Sequence, residues 1–430
     1  MSRQKSDFSL YKKTLPNGVQ IIILSMEKAN YVAFTVGIHA GSRDDPPDGH
    51  GTAHLLEHMI MTMTEKRPRT EILHRDLDAV GGASNMFTHA DKTTLTMNVI
   101  PEDVPRATEL IFDIIHNAKW NSAQLACEKN GIISELNENA DNPEEYNATL
   151  LGGMLFEGSS LAHNAEGTAK SVATILSRDL RTFKDAHYCG ANIVVCVVGA
   201  ISRRDVDRFV VPVFSKLESG SRVTVSEFVI TQTEPRAHTC ERNFKQLWFA
   251  LGLTFGGMSQ KEILTLDVIT SMLGDNAWSS LFFSKIRQPG LAYDVSIVMQ
   301  VFQDVGCATI SGSTSHANDK DVLRKIFSLL KRVKTNVSSE ALQFFKDYTC
   351  RQLALDAASP GFHCPDVLEE YMRGREFLSP AEQIAVVQAV DRKLFLEVAN
   401  KIFDFSRTNL SLLGRCRSQN VYRRIVEEFL

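Results

Sequence analysis

YVAFTVGIHAG, residues 31–41, returns in altered form as LWFALGLTFGG, residues 247–257. Both read as strands, rich in β-branched and aromatic residues and closed by glycine. Their surroundings return as well. After the first copy come a strand, TTLTMNVI (93–100), and a helix, PEDVPRATELIFDIIHNA (101–118), with proline and acids in its first turn. After the second come a helix, EILTLDVITSML (262–273), a strand, CATISGST (307–314), and a helix, NDKDVLRKIFSLLKRV (318–333). NIVVCVVGA (192–200), followed by a helix SRRDVDRFVVPVF (202–214), is matched by NLSLLGRC (409–416). Self-similarity at roughly 210 residues signals a duplicated domain and not a solenoid. The polar segment SKLESGSRVTVSE (215–227) reads as the linker, so domains over 1–217 and 218–430 are expected. Strands and helices mix, and no glycine-rich phosphate loop follows any strand. The expected class is therefore α+β rather than a nucleotide-binding doubly wound sheet.

Length and composition agree. A chain of 430 residues exceeds what one core serves. Apolar residues at 43%, charged residues at 23% and a net charge of -4 describe an ordinary globular protein, with no basic block for nucleic acid or an anionic membrane. No window has the roughly 18 consecutive apolar residues of a membrane span. The N-terminal GVQIIIL reads as a strand after a Pro-Asn-Gly turn, not as a signal-peptide core. The eight cysteines (127, 189, 196, 240, 307, 350, 364 and 416) form no Cys-x-x-Cys pair. They read as reduced, mostly buried thiols, which points to the cytoplasm, or to a mitochondrial matrix if a presequence has been removed.

Between the strands at 31 and 93 lies a loop rich in Asp, Pro and Gly, GSRDDPPDGHG (41–51), and then a helix carrying HLLEH (54–58). Positions i and i+4 share a helix face and i+3 lies beside them, so His54 and His58 can bind one metal ion with Glu57 adjacent. Two imidazoles suit zinc, and a catalytic zinc needs a third protein ligand and keeps one position for water. Such a water has its pKa lowered toward ~7, and a carboxylate not needed as a ligand can take its proton. Glu57 fits that role. The rest of the helix (Ala53, Leu55, Leu56, Met59, Ile60, Met61) is apolar, so the polar face belongs to a buried helix rather than a solvated one. The third ligand is sought in AQLACEKNGIISELNENADNPEE (123–145), helical in pattern and dense in acids. There Glu128 and Glu135 share a face, Glu135 lies 77 residues after His58, and Glu138 competes with it.

His-x-x-Glu-His is the inverted zinc motif. GTAHLLEHM followed by a glutamate 77 residues on resembles the M16 (pitrilysin/insulinase) metallopeptidase family. The resemblance implies Glu135 as the third zinc ligand and Glu128, seven residues earlier, as the acid that orients a ligand histidine or assists catalysis. It extends to GGASNMFTHADKTT (81–94), an edge strand beside the zinc in that family. Asn85, Met86, Phe87 and Thr88 are thus expected peptide contacts, an edge strand offering unpaired backbone groups to an extended chain. LGDNAWSSLFFSKIRQPGLAYDV (273–295) resembles the segment that supplies an arginine and a tyrosine to the substrate carbonyl or oxyanion, here Arg287 and Tyr293. Their spacing of six is one shorter than the family's. MIMTMTEKRPRTE after the helix also departs from a Gly-Thr turn common in relatives.

The resemblance covers nearly the whole chain and implies two homologous domains, each a mostly antiparallel sheet packed with helices, forming half of a clamshell. It implies one Zn2+ per chain and a peptide substrate. It further implies a homodimer, or a heterodimer with a related M16-type subunit, as in bacterial half-length peptidases and the catalytic subunit of mitochondrial processing peptidase. The expected activity is zinc-dependent endopeptidase. The alternatives are a maturation protease for a leader peptide or presequence, and a non-catalytic structural or presenting subunit. Intact ligands speak against the last.

Overall fold

The computed structural model describes residues 8–81, 84–222, 224, 227–274 and 277–430. Gly82 of the glycine pair and residues 275–276 of the arginine–tyrosine segment lie outside the described residues. The strands are β1 (Phe8–Thr14), β2 (Gln20–Met26), β3 (Val32–Ile38), β4 (Ser84–Thr88), β5 (Thr93–Val99), β6 (Ile193–Gly199), β7 (Arg236–Glu241), β8 (Leu247–Gly256), β9 (Asp294–Val301), β10 (Val305–Thr314) and β11 (Thr408–Gly414). The helices that bear on the sheets and the site are α1 (Thr52–Ile60), α2 (Val104–His116), α3 (Ser122–Asp141), α4 (Pro143–Leu155), α5 (Gln260–Leu273), α6 (Asp319–Thr335) and α7 (Pro360–Met372).

The chain divides into two units, each discontinuous in sequence. Unit 1 comprises Met1–Asn137, His163–Ser226 and Asp356–Ser379; unit 2 comprises Glu138–Ala162, Glu227–Leu355 and Pro380–Leu430. Unit 1 holds a six-stranded sheet in the order β1-β2-β6-β3-β5-β4, and unit 2 a five-stranded sheet in the order β7-β11-β8-β10-β9. The duplication is explicit in the pairing. β2 runs parallel to β6, as β7 does to β11. The remaining neighbours in both sheets are antiparallel. β1 is an additional edge strand in unit 1.

In unit 1 the central strands β3 (VAFTVGI) and β6 (IVVCVVG) are buried along their whole length, because helices cover both faces of the sheet. One face, with Ile21, Ile23, Phe34, Val36, Val195 and Val197, packs on α1 and α2 through Leu55, Leu56, Met59, Leu110, Ile111 and Ile114. The other face, with Ile22, Leu24, Ala33, Val194, Cys196 and Val198, is closed by Cys364, Val367, Leu368, Tyr371 and Met372 of α7. Each fully buried aliphatic side chain there contributes about 1.5–3 kcal/mol relative to exposure. The first unit thus takes its second cover from the far half of the sequence. In unit 2 the reciprocal holds: α4, from the near half, lies on β8 and β11. There Ser411 Oγ donates to Asn147 Oδ1 at 2.6 Å, and Asn147 Nδ2 donates to the Ser411 carbonyl at 3.3 Å.

The helical stretch expected over 123–145 is two helices. Pro143 has no N–H for a continuing ladder and pushes the residue before it out of helical geometry. Asn142 is accordingly extended (φ -84°, ψ 112°), and its side chain accepts from Glu144 N at 3.0 Å to cap α4. Among the described residues no helix is long and apolar enough to cross a membrane. All eight cysteines are free; Cys189, Cys196, Cys307, Cys350 and Cys364 are buried and Cys127 is exposed.

Candidate metal centre

α1 is launched by Gly51, whose φ of 96° lies in the left-handed region that favours glycine. Asp45 of the DDPP loop then accepts from Gly51 N at 2.7 Å and Ala53 N at 2.8 Å, satisfying donors that the first turn leaves open. Burial pushes the Asp45 carboxyl up to about 7, against the pull of those hydrogen bonds. With Ala53, Leu55, Leu56, Met59 and Ile60 committed to the core, the face left over carries His54, Glu57 and His58, all half-buried. α3 runs alongside with only Ile132 fully buried, and places Glu128 and Glu135 two turns apart.

Two edges of the resulting triangle are short. Glu135 Oε2 lies 3.9 Å from His54 Nε2 and 3.9 Å from His58 Nε2. One donor atom from each of His54, His58 and Glu135 lies within 4.8 Å of the others. The two imidazoles meet edge to face, with centroids 4.7 Å apart. Glu138 is not part of this cluster. Glu128 Oε2 stands 3.3 Å from His58 Nδ1, so a neutral His58 protonated at Nδ1 donates to it and turns Nε2 toward Glu135. His54 Nδ1 is buried without a hydrogen-bond partner among the described residues.

These residues fit zinc. Two nitrogens and one oxygen, each ~2.0–2.2 Å from a tetrahedral ion, would be roughly 3.4 Å apart, so the two Glu135 edges need to close by about half an ångström. His54 is held neutral, its pKa lowered to about 4 by burial and then by the neighbouring His58, and a ligand imidazole must be neutral. Glu57 faces the cluster without joining it. Its carboxyl is raised by burial, a shift opposed by the Thr88 hydroxyl, which donates to Glu57 Oε2 at 2.5 Å, and by His58.

The edge strand separates the four expected peptide contacts. In β4, Ser84, Met86 and Thr88 share one face and Asn85 and Phe87 the other. Met86 is 4% exposed and sits in the core, and the Thr88 side chain and backbone N–H are bound to Glu57, so neither side chain is turned to an extended peptide. Asn85 and the half-exposed Phe87 turn outward; Asn85 Oδ1 accepts from the Met86 N–H at 2.9 Å. Arg287 and Tyr293 belong to unit 2 and the histidine–glutamate cluster to unit 1. Arg287 ends a π-helical turn, Phe283–Arg287, with its guanidinium 5.6 Å from the Phe283 ring centre. It lines a cavity of about 330 Å³ with Trp278 and Asp294. Tyr293 is 75% exposed, an outward aromatic, and its N–H donates to the Ser313 carbonyl at 3.1 Å.

Sequence reasoning missed Asp45 and Tyr188. Tyr188 is buried, and its phenol is held protonated by burial first and by the Glu57 charge second. No spacing rule connects position 188 to position 57.

Two duplicated α+β units, one bearing the inverted histidine–glutamate helix, define the class. The chain belongs to peptidase family M16. The family model described as Insulinase (Peptidase family M16) matches residues 20–169, which include every residue of the cluster; that described as Peptidase M16 inactive domain matches residues 174–347. A relative from Rickettsia bellii named a zinc protease is 25% identical over 94% of this chain and 97% of its own. A probable mitochondrial-processing peptidase subunit beta from Arabidopsis thaliana is 25% identical over 93% of this chain and 77% of its own. A protease from Helicobacter pylori of known crystal structure has the same fold, with a TM-score of 0.88 at 18% identity, covering 95% of this chain and all of that one.

Proposed function

We propose that this chain is a zinc-dependent endopeptidase acting on peptides or unstructured segments. The observation that carries the reading is the division of labour on one helix face: His54 and His58 converge with Glu135, while Glu57, between them in sequence, keeps its carboxylate outside the donor set. His54, His58 and Glu135 would hold zinc, which when bound supplies a Lewis acid for the scissile carbonyl and for water. Glu57 takes the proton of the attacking water and returns it to the leaving amine, a role suited to a carboxyl raised by burial. Glu128 keeps His58 in the tautomer that frees Nε2. The outer edge of β4, which among the described residues pairs only with β5, receives the substrate backbone, with Asn85 and Phe87 beside it. Arg287 and the exposed Tyr293 are further substrate contacts in this reading. A dimer with a second M16-type chain is part of the proposal, supported by the Arabidopsis relative's description as a subunit.

The test is Glu57→Gln. The variant is expected to bind one zinc per chain and to lose peptide cleavage by about 10²–10⁴-fold. Cleavage at the wild-type rate, or a wild-type chain that takes up far less than one zinc, would overturn the reading.

A further inference from the structure

We propose that Thr88 is a positioning residue for Glu57, fixing one carboxylate oxygen so that the other is presented to the attacking water; this rests on the reading of Glu57 as general base. A glutamate side chain has rotamer freedom worth about 1.5–2 kcal/mol, and half-burial alone does not choose among its orientations. The Thr88 hydroxyl donates to Glu57 Oε2 at 2.5 Å, the short end for a hydrogen bond onto a charged oxygen, and the Thr88 backbone N–H adds a weaker bond to the same carboxyl that substitutions at 88 leave in place. The donor is itself immobilised. Thr88 pairs with Thr93 of β5, and Met86, two residues earlier on the same face of β4, is buried in the core. The acceptor rides on α1, which also carries His54 and His58. The base is therefore tied to a strand whose outward side chains, Asn85 and Phe87, remain available to a peptide. Substrate register and base orientation are set by one rigid element, and errors of about 1 Å in such placement cost on the order of 10²-fold in rate.

Thr88→Val removes the hydroxyl at nearly constant shape and Thr88→Ser keeps it; Thr88→Ala is a second hydroxyl-free variant should valine disturb the strand. In the zinc-loaded enzyme the hydroxyl-free variants are expected to lose about tenfold or more in kcat with KM within about twofold, and serine to restore kcat. Crystal structures of the metal-free proteins give a readout independent of activity. Glu57 should take one conformer against residue 88 in wild type and T88S, and turn away or split in T88V. An unmoved Glu57 in T88V, or a raised KM at constant kcat, overturns the proposal, the latter by making Thr88 a substrate contact. If zinc-loaded wild type cleaves no peptide, the peptidase reading falls and the crystal comparison alone decides the role of Thr88.

Discussion

Gly37 of β3 lies directly beneath Leu368 of α7. A Cβ built at position 37 would stand 2.9 Å from Leu368 Cδ1 and 2.6 Å from Met372 Sδ. Unit 2 repeats the device: a Cβ at Gly252 of β8 would stand 2.8 Å from Leu155 Cδ1 of α4. Both glycines have ordinary backbone dihedrals, so what they supply is space. Each sheet keeps a notch in a central strand for the helix that reaches it from the other half of the sequence.

Gly37→Ala should therefore destabilise by about 1–3 kcal/mol through overpacking. Leu368→Ala should cost about 2–5 kcal/mol through the lost side chain and its cavity. The double variant should be more stable than the sum of the two losses, because the new methyl occupies part of the space the leucine vacates. Urea melts of the four proteins measure this. Strict additivity would mean that Gly37 and Leu368 do not share that space.

Glu128→Gln should weaken zinc binding about 10–100-fold, since the amide is a poorer acceptor for His58 Nδ1–H and can present its own NH₂ instead. Glu135→Gln, which removes a charged donor atom from the cluster itself, should weaken it more. Competition against a chromophoric chelator ranks the two. Equal losses would place Glu128 among the ligands rather than behind one.

The strands at 31–41 and 247–257 were legible because a buried strand is a local property of apolar, β-branched sequence. The inverted motif was legible because helical spacing fixes which residues share a face. Which sheet a helix covers is not local: nothing within 143–155 or 360–372 states that each will close the sheet of the opposite half. Two further signals lie in the sequence. Pro143 marks a helix boundary within 123–145. Period-2 alternation along β4 places Thr88 with the buried Met86, so the two could not both present side chains to a peptide beside Asn85 and Phe87. The Thr88–Glu57 bond itself depends on α1 lying against β4, a tertiary fact.

Acid should destabilise the chain through His39. Burial, then Arg222 and Lys92, lowers its pKa from 6.5 to about 4, and Arg222 Nη2 sits 3.1 Å from His39 Nδ1. Between those two values the unfolded chain binds more protons than the folded one, so stability falls as pH drops from about 6.5 toward 4. The full depression is worth up to about 3 kcal/mol. Asp44, raised by burial to about 6, pulls with the opposite sign over part of this range. The measurement is thus the difference between wild type and His39→Gln. Its pH slope should be positive between about 4 and 6.5 and flat above; a pH-independent difference would show that His39 has the same pKa folded and unfolded.

The segment after α1 is held by a buried ion pair. Arg67 Nη1 reaches Asp113 Oδ2 at 2.5 Å and its Nε reaches Asp76 at 2.8 Å. Asp113 also accepts from Thr64 Oγ1 at 2.5 Å and Asn117 Nδ2 at 2.8 Å, and its side chain is only 1% exposed. Removing the cation leaves that carboxylate buried with neutral donors alone, so Arg67→Met should cost about 3–5 kcal/mol. Removing both charges is the milder change: Arg67→Met with Asp113→Asn should recover part of the loss, because the desolvated charge is gone, the remaining amide oxygen can still accept from Asn117, and the new NH₂ can donate to the Thr64 hydroxyl. Chemical denaturation of the single and double variants decides it. If the double variant is no more stable than Arg67→Met, the loss comes from the arginine's packing and not from an unpaired Asp113.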